Sequence, residues 1–254
     1  MRRIVILGVL VLLLSGVSAT PARAITFGQV DGTAHPWVGA LVVETSPGVK
    51  DWICSGTLIA PRVFLTAAHC LAGSGIPAHD VWVTFDPAFS SSGTFFRGTY
   101  TVDPLYGTRP RSDYHDLAVV VLDADPLITP ASLPPAGWLD RPGVRDQSFT
   151  AVGYGEVRDD KTGGPHTSYY DGVRRYVSQT FQSLNGTAVT FSMNPATGNG
   201  GTCYGDSGGP HFVGDTTMLV AITITGDMYC RSTDKDYRVD TPDSLAFITS
   251  FIAR

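Results

Sequence analysis

The chain has 254 residues, 43% of them hydrophobic and 16% charged, with a formal net charge of −5. That length supports one large domain or two small ones with true cores. The acidic balance argues against a nucleic-acid partner, whose binders carry basic patches.

At the start, Arg2 and Arg3 precede an apolar run over residues 4–14, and small residues follow at Val17-Ser18-Ala19 and Ala22-Arg23-Ala24. This charged, apolar, small-residue order is that of a secretory signal peptide over residues 1–24, cleaved after Ala19 or after Ala24. The run is far shorter than the about 20 residues a bilayer core needs, so no membrane attachment is expected once the signal is removed. The expected location is extracellular.

Short apolar or alternating runs then recur at residues 38–43, 54–59, 63–66, 81–85, 117–122, 149–152, 174–181, 188–191 and 219–225. Glycine, proline, asparagine and aspartate clusters separate them, which predicts an all-β chain of barrels or sandwiches. A proline-rich stretch at 129–143 reads as a connection between an N-terminal half, 25–135, and a C-terminal half, 136–254. The polar, glycine-rich stretch 159–172 reads as an exposed loop. Near the end, Thr241 can cap a helix, Pro242 suits its first position, and Leu245, Phe247, Ile248, Phe251 and Ile252 supply an apolar face.

The four cysteines fall as a near pair, Cys54 and Cys70, and a later pair, Cys203 and Cys230. Three connectivities are possible in an exported chain, and local pairing, 54 with 70 and 203 with 230, is expected. The absence of any CxxC spacing argues against a zinc site. No metal or cofactor is expected.

Chemistry concentrates in three places. In Gly205-Asp206-Ser207-Gly208-Gly209-Pro210 a serine is flanked by glycines, as suits a tight turn that exposes a hydroxyl and aims backbone N–H groups at one point. The hexapeptide also fits G-x-S-x-G, the nucleophile elbow, but that arrangement places its acid and histidine after the serine. Only His211 follows Ser207, too close in sequence for that role. A base must come from upstream, and His69 in Leu65-Thr66-Ala67-Ala68-His69-Cys70 sits beside a cysteine after an apolar run, where its freedom is limited. Asp116, at the mouth of the apolar run Leu117–Leu122, is the candidate that orients the imidazole, with Asp113 its nearest rival.

These blocks, in the order His69, Asp116, Ser207, resemble the three signature blocks of the chymotrypsin/trypsin family of serine proteases. Cys54-Ser55-Gly56-Thr57-Leu58-Ile59 and Val152-Gly153-Tyr154-Gly155 match as well, so the resemblance spans essentially the whole chain after residue 24. It implies two six-stranded antiparallel β-barrels with the active site between them, His69 and Asp116 coming from the first and Ser207 from the second. It assigns the oxyanion hole to the backbone N–H groups of Gly205 and Ser207, and pairs a new N-terminus at Ile25 with Asp206. It places Gly201 at the base of the primary specificity pocket, beside Thr202, with Gly226 leaving the entrance open. A pocket without a carboxylate at its base gives no strong Lys/Arg preference. The sequence departs from the family where Ile224-Thr225-Gly226 stands in place of Ser-Trp-Gly, and Lys235 falls near the pocket wall.

The resulting expectation is a secreted, monomeric serine endopeptidase acting on protein or peptide substrates. A catalytically impaired homologue acting as a binding protein, and an esterase on the same fold, are the alternatives.

Overall fold

The computed structural model describes residues 25–108, 113–158 and 168–252. The signal-peptide reading and most of the predicted 159–172 loop fall outside them. In chain order the strands are β1 (Gln29–Val30), β2 (Val38–Ser46), β3 (Val49–Ala60), β4 (Val63–Thr66), β5 (Val81–Thr84), β6 (Phe96–Val102), β7 (Ala118–Leu122), β8 (Ser148–Gly153), β9 (Val157–Arg158), β10 (Ser168–Tyr169), β11 (Arg175–Leu184), β12 (Ala188–Ser192), β13 (Pro210–Val213), β14 (Leu219–Gly226) and β15 (Thr233–Arg238). One α-helix, α1 (Pro242–Ile252), ends the described chain.

The strands close into two antiparallel six-stranded barrels. The first runs β2-β3-β4-β7-β6-β5. In the second, β8 pairs β11, β11 pairs β12, and β15, β14 and β13 follow in turn, with β13 returning to β8. Every predicted apolar run lies in or overlaps one of these strands, because an inward-facing residue at every second position is what a closed barrel needs. Leu41, Leu58, Phe64, Val83 and Val120 fill the first barrel, and Phe149, Val189, Phe191 and Val220 the second, all fully buried. The first core continues into Phe212, Leu219, Ile222 and Tyr237 of the second barrel, so the two barrels share one apolar seam.

Three barrel strands were not anticipated from the sequence. β6 carries few large apolar residues, and Gly98 lets it approach β7 closely: an added Cβ would lie 2.6 Å from Val120. β13 opens on Pro210, immediately after the serine turn. β15 reads Thr-Asp-Lys-Asp-Tyr-Arg, and its charges disguise a strand in which Asp234 and Asp236 are fully buried.

The ends of the chain cross over. Near the N-terminus β1 pairs with β11 of the second barrel. At the other end α1, capped by Thr241 Oγ1 accepting from the Ser244 N–H at 3.1 Å, packs against β4 and β7 of the first barrel. Ile248 is buried there, and one such side chain contributes about 1.5–3 kcal/mol. Disulfides join Cys54 to Cys70 and Cys203 to Cys230. This is the expected local pairing, and each loop closure is worth about 2–4 kcal/mol.

A buried cation fastens the N-terminal arm. The Arg174 guanidinium donates to Asp31 Oδ2 at 2.8 Å, to the carbonyls of Val38, Phe85 and Gly32, and to the Tyr154 hydroxyl. Arg174→Met is expected to destabilise the protein by about 3–5 kcal/mol in urea or thermal unfolding, because Asp31 loses its buried partner. Burial alone would raise the Asp31 carboxyl, but His35 and Arg174 outweigh it and hold it below 3.8. A carboxyl depressed in the fold stabilises above its unfolded value, and that stabilisation fades as pH falls through the depressed one. Acid unfolding of the wild type below about pH 4 should therefore be steeper than that of Asp31→Asn.

Candidate active site

His69 stands on a single 3-10 turn, Ala68–Cys70, that follows β4 directly. The Cys54–Cys70 bridge ties this turn to β3, so the imidazole hangs from a fixed point. Asp116 arrives from the other side, just before β7. At His115 the backbone takes a positive φ of 44°, and Leu117 N–H bonds back to the His115 carbonyl at 2.8 Å. This reversal turns the carboxylate toward His69. Asp116 Oδ1 accepts the His69 backbone N–H and Oδ2 meets His69 Nδ1, both at 2.8 Å. A carboxylate at Nδ1 selects the tautomer that leaves Nε2 free to take a proton. The rival Asp113 instead lies 3.2 Å from His115 Nε2 and accepts from the Tyr237 hydroxyl at 3.4 Å.

Ser207 sits at the top of a turn held from three directions. Gly209 N–H bonds to the Asp206 carbonyl, Gly208 N–H to the Thr223 carbonyl, and Ser55 N–H to the Ser207 carbonyl, all at 2.8–2.9 Å. Ser55 Oγ adds a brace by donating to the Gly205 carbonyl at 3.0 Å. Gly208 is required here: φ is +77°, and a Cβ would lie 2.2 Å from Thr66 Oγ1. The backbone N–H groups of Gly205 and Ser207 have no acceptor among the described residues. His69 and Ser207 border one cleft of about 530 Å³. Their side chains are not hydrogen-bonded to each other among the contacts of the described residues, an open geometry common in ligand-free sites.

The remaining predicted residues divide. Thr202 and Gly226 line the cleft, and Gly201 does not. Gly201 is paired through both backbone bonds with Thr26, and Met193 covers it so closely that a Cβ would lie 1.9 Å from the thioether sulfur. Ile224 also borders the cleft; among the described residues no hydroxyl donates to Asp116. Lys235 turns away, its Nζ 3.1 Å from the Tyr114 hydroxyl and over that ring. The Asp227 carboxylate folds onto its own loop and accepts from the N–H groups of Tyr229, Arg231, Ser232 and Thr233. Burial opposes ionisation there, yet these donors hold the carboxyl below its ordinary value. Tyr204 and Met228 are exposed at the mouth and give it an apolar rim.

Behind Ser207, Asp206 is fully buried, and its carboxylate accepts the N–H groups of Gly155 at 2.8 Å and Cys203 at 2.9 Å. Ile25 is also fully buried, clustered with Ala151 and Val177 of the second barrel. Sequence reasoning missed Ser55 as a brace and Met193 as a cover. Ser55 lies inside the quoted block Cys54–Ile59, which was its signal; Met193 had none, since its contact with Gly201 depends on folding.

The sequence profile described as Trypsin matches residues 26–247. The chain is 31% identical to a trypsin of Saccharopolyspora erythraea over 78% of its own length and 84% of that protein's. It is 26% identical to kallikrein 1-related peptidase b27 of Mus musculus over 87% of each chain, and 27% identical to kallikrein-11 of Homo sapiens over 80% of this chain and 71% of that one.

Proposed function

The chain belongs to the trypsin family of serine endopeptidases, and we propose that Ser207, His69 and Asp116 form its catalytic triad. The doubly hydrogen-bonded His69–Asp116 pair, facing the same cleft as Ser207, carries this reading. The two halves of the chain, 25–135 and 136–254, supply the histidine–aspartate pair and the serine respectively.

The chemistry follows from these positions. On substrate binding the Ser207 hydroxyl turns toward His69 Nε2, loses its proton to it, and attacks the scissile carbonyl. Asp116 stabilises the imidazolium through Nδ1–H. The unengaged N–H groups of Gly205 and Ser207 receive the oxyanion. The imidazolium then protonates the departing amine, and a water activated by His69 releases the acyl-enzyme. A fluorophosphonate probe should label the active protein on Ser207; labelling at any other residue, or none, would sink the assignment.

The substrate is protein or peptide, and the pocket favours an uncharged side chain on the acyl side of the cleaved bond. Met193 covers Gly201, Thr202 and Gly226 offer no charge, Lys235 reaches Tyr114, and the Asp227 carboxylate, which borders the cleft, is turned onto the N–H groups of its own loop. In a peptide-library cleavage profile, Lys and Arg at that position should be cut at least about 10-fold less efficiently than medium-sized apolar residues. A dominant Lys/Arg preference overturns the pocket reading.

Residues 1–24 are read as the export signal, and the mature protein as a secreted monomer. Among the described residues no helix is long and apolar enough to cross a membrane. Cleavage after Ala24 creates an amino group at Ile25, the partner Asp206 needs. The burial of Ile25, the docking of Thr26 on Gly201 and the lack of a cationic partner for Asp206 among the described residues support this pairing.

A further inference from the structure

Inside the second barrel lies a group of polar side chains that peptide hydrolysis does not use. Gln179 of β11, His211 of β13, Thr223 of β14, and Asp234 and Asp236 of β15 are all buried. Asp236 stands opposite Thr223 and Asp234 opposite Gly226 in the β14–β15 ladder, so each pair shares a face of the sheet. Among the described residues, His211 Nδ1, Thr223 Oγ1, Asp234 Oδ1 and both Asp236 oxygens make no hydrogen bond of good geometry, and the closest neighbours of the Asp236 carboxyl are the Thr223 hydroxyl and the Asp234 carboxyl, the other members of the group. Unpaired polar atoms in a dry interior are costly, and unpaired carboxylates more so. Neither aspartate forms an ion pair with a lysine or arginine among the described residues; Lys235, between them, reaches Tyr114.

We propose that His211, Asp234 and Asp236, with the Thr223 hydroxyl as fourth donor, bind a structural zinc ion. The three residues offer ligand atoms that lie within 4.8 Å of one another. His211 Nδ1 and Asp236 Oδ1 are 3.2 Å apart, yet they are not aligned as a hydrogen bond. Two ligands of one zinc ion, each about 2.0–2.2 Å from it at a tetrahedral angle, are separated by about 3.3 Å. The other ring nitrogen fits the same reading. Nε2 lies 2.9 Å from Gln179 Oε1, and a metal-bound imidazole donates its second N–H to such an acceptor, which leaves the Nδ1 lone pair for the metal. Asp234 is divided in the same way: Oδ2 accepts from Gln179 Nε2 at 2.8 Å and lies 3.2 Å from His211 Nε2 as a second acceptor, while Oδ1 is free.

Charge and donor type agree with the geometry. Two carboxylates and a neutral imidazole balance a divalent cation, and mixed nitrogen and oxygen donors in a four-coordinate set suit zinc. Calcium needs six to eight oxygens, which the group does not supply. Four protein ligands leave no open position, so the ion is structural. It would tie β13, β14 and β15 together beneath the cleft. Thr223 also bonds to Gly208 and Gly209 through its backbone, so the ion would brace the Ser207 turn from within.

The test uses the full mature chain, refolded in parallel with zinc chloride and with EDTA, then dialysed. Mass spectrometry should find about one zinc per chain in the first sample, melting about 5–15 °C higher than the second, the shift expected of a ligand held well above its dissociation constant. X-ray absorption should show nitrogen and oxygen neighbours near 2.0–2.1 Å and no sulfur. Asp236→Asn should retain less than a tenth of the metal. Should that variant fail to fold, the wild-type metal content, melting shift and absorption spectrum decide alone. Negligible zinc with identical melting overturns the site and leaves shared protons to neutralise the cluster; zinc fully retained by folded Asp236→Asn overturns the ligand assignment.

Discussion

Ser207→Ala is expected to lower kcat by about 10,000- to 1,000,000-fold, with KM and melting temperature nearly unchanged. The magnitude follows from what the substitution removes and what it spares. It removes the hydroxyl of the glycine-flanked turn that shares the cleft with the carboxylate-bound imidazole. It spares the turn, whose bonds run through the backbones of Asp206, Gly208, Gly209 and Ser55. It also spares the N–H groups of residues 205 and 207, so a residual rate above that in water should persist. His69→Ala should cost a similar amount, and the double variant hardly more, because nucleophile and base act as one unit. Steady-state kinetics on a chromogenic peptide ester and on casein would check this. A Ser207→Ala enzyme within tenfold of wild type on either substrate would show that hydrolysis runs through another group, and additive losses would show that serine and histidine act separately.

The second large effect concerns Asp206, where Asp206→Asn is expected to lower kcat/KM about 100- to 1000-fold, the loss that follows when an oxyanion hole is no longer held in place. Burial pushes this carboxyl up to about 7, the Cys203 and Gly155 N–H groups offset part of that, and the charges of Asp234 and Glu156 add to it. An acid whose value is raised in the fold loses stability as pH rises from its unfolded value, 3.8, toward the raised one. Without a cation the ionised form therefore costs on the order of a few kcal/mol at neutral pH. An ammonium at Ile25 removes that cost. α-Amino groups ordinarily titrate near 7.7–8.0, and pairing raises the value. The stabilisation is complete below the ordinary value and is lost as pH rises through the raised one, so activity should fall on the alkaline side above about pH 8. Asp206→Asn should lack this alkaline limb. N-terminal sequencing sets the comparison: protein starting at Ile25 should be active and protein starting at Thr20 should not, and full activity from Thr20 would rule out the pairing.

The parts of the site that were legible in the sequence are those that chemistry pins to a local pattern. A serine between glycines, a histidine beside a cysteine and an aspartate before an apolar strand each leave a short signature, and their order excluded the nucleophile elbow. The barrel strands showed where alternation was apolar. β15 did not, because its inward residues are aspartates, and their neighbours His211, Thr223 and Gln179 come from three other strands. The covering of Gly201 was hidden for a similar reason. Gly201 suggested an open base by its position before Ser207, whereas the side chain that covers it, Met193, follows β12 and meets it only through the closure of the second barrel. Ile224 was legible as a departure from the family. Its consequence is visible in the structure: Asp116 is held by His69 alone among the described side chains, where the resembled family usually supplies a hydroxyl as well.

The crossed ends of the chain bear on how the molecule survives its own chemistry. An endopeptidase can cut copies of itself, and a cut in the stretch between β7 and β8 would divide the chain between its two barrels. With the N-terminal arm latched to one barrel and the last helix seated on the other, such a nick liberates no fragment. Each half still grips a piece of its neighbour, and a clipped enzyme should migrate as one body until a denaturant parts it.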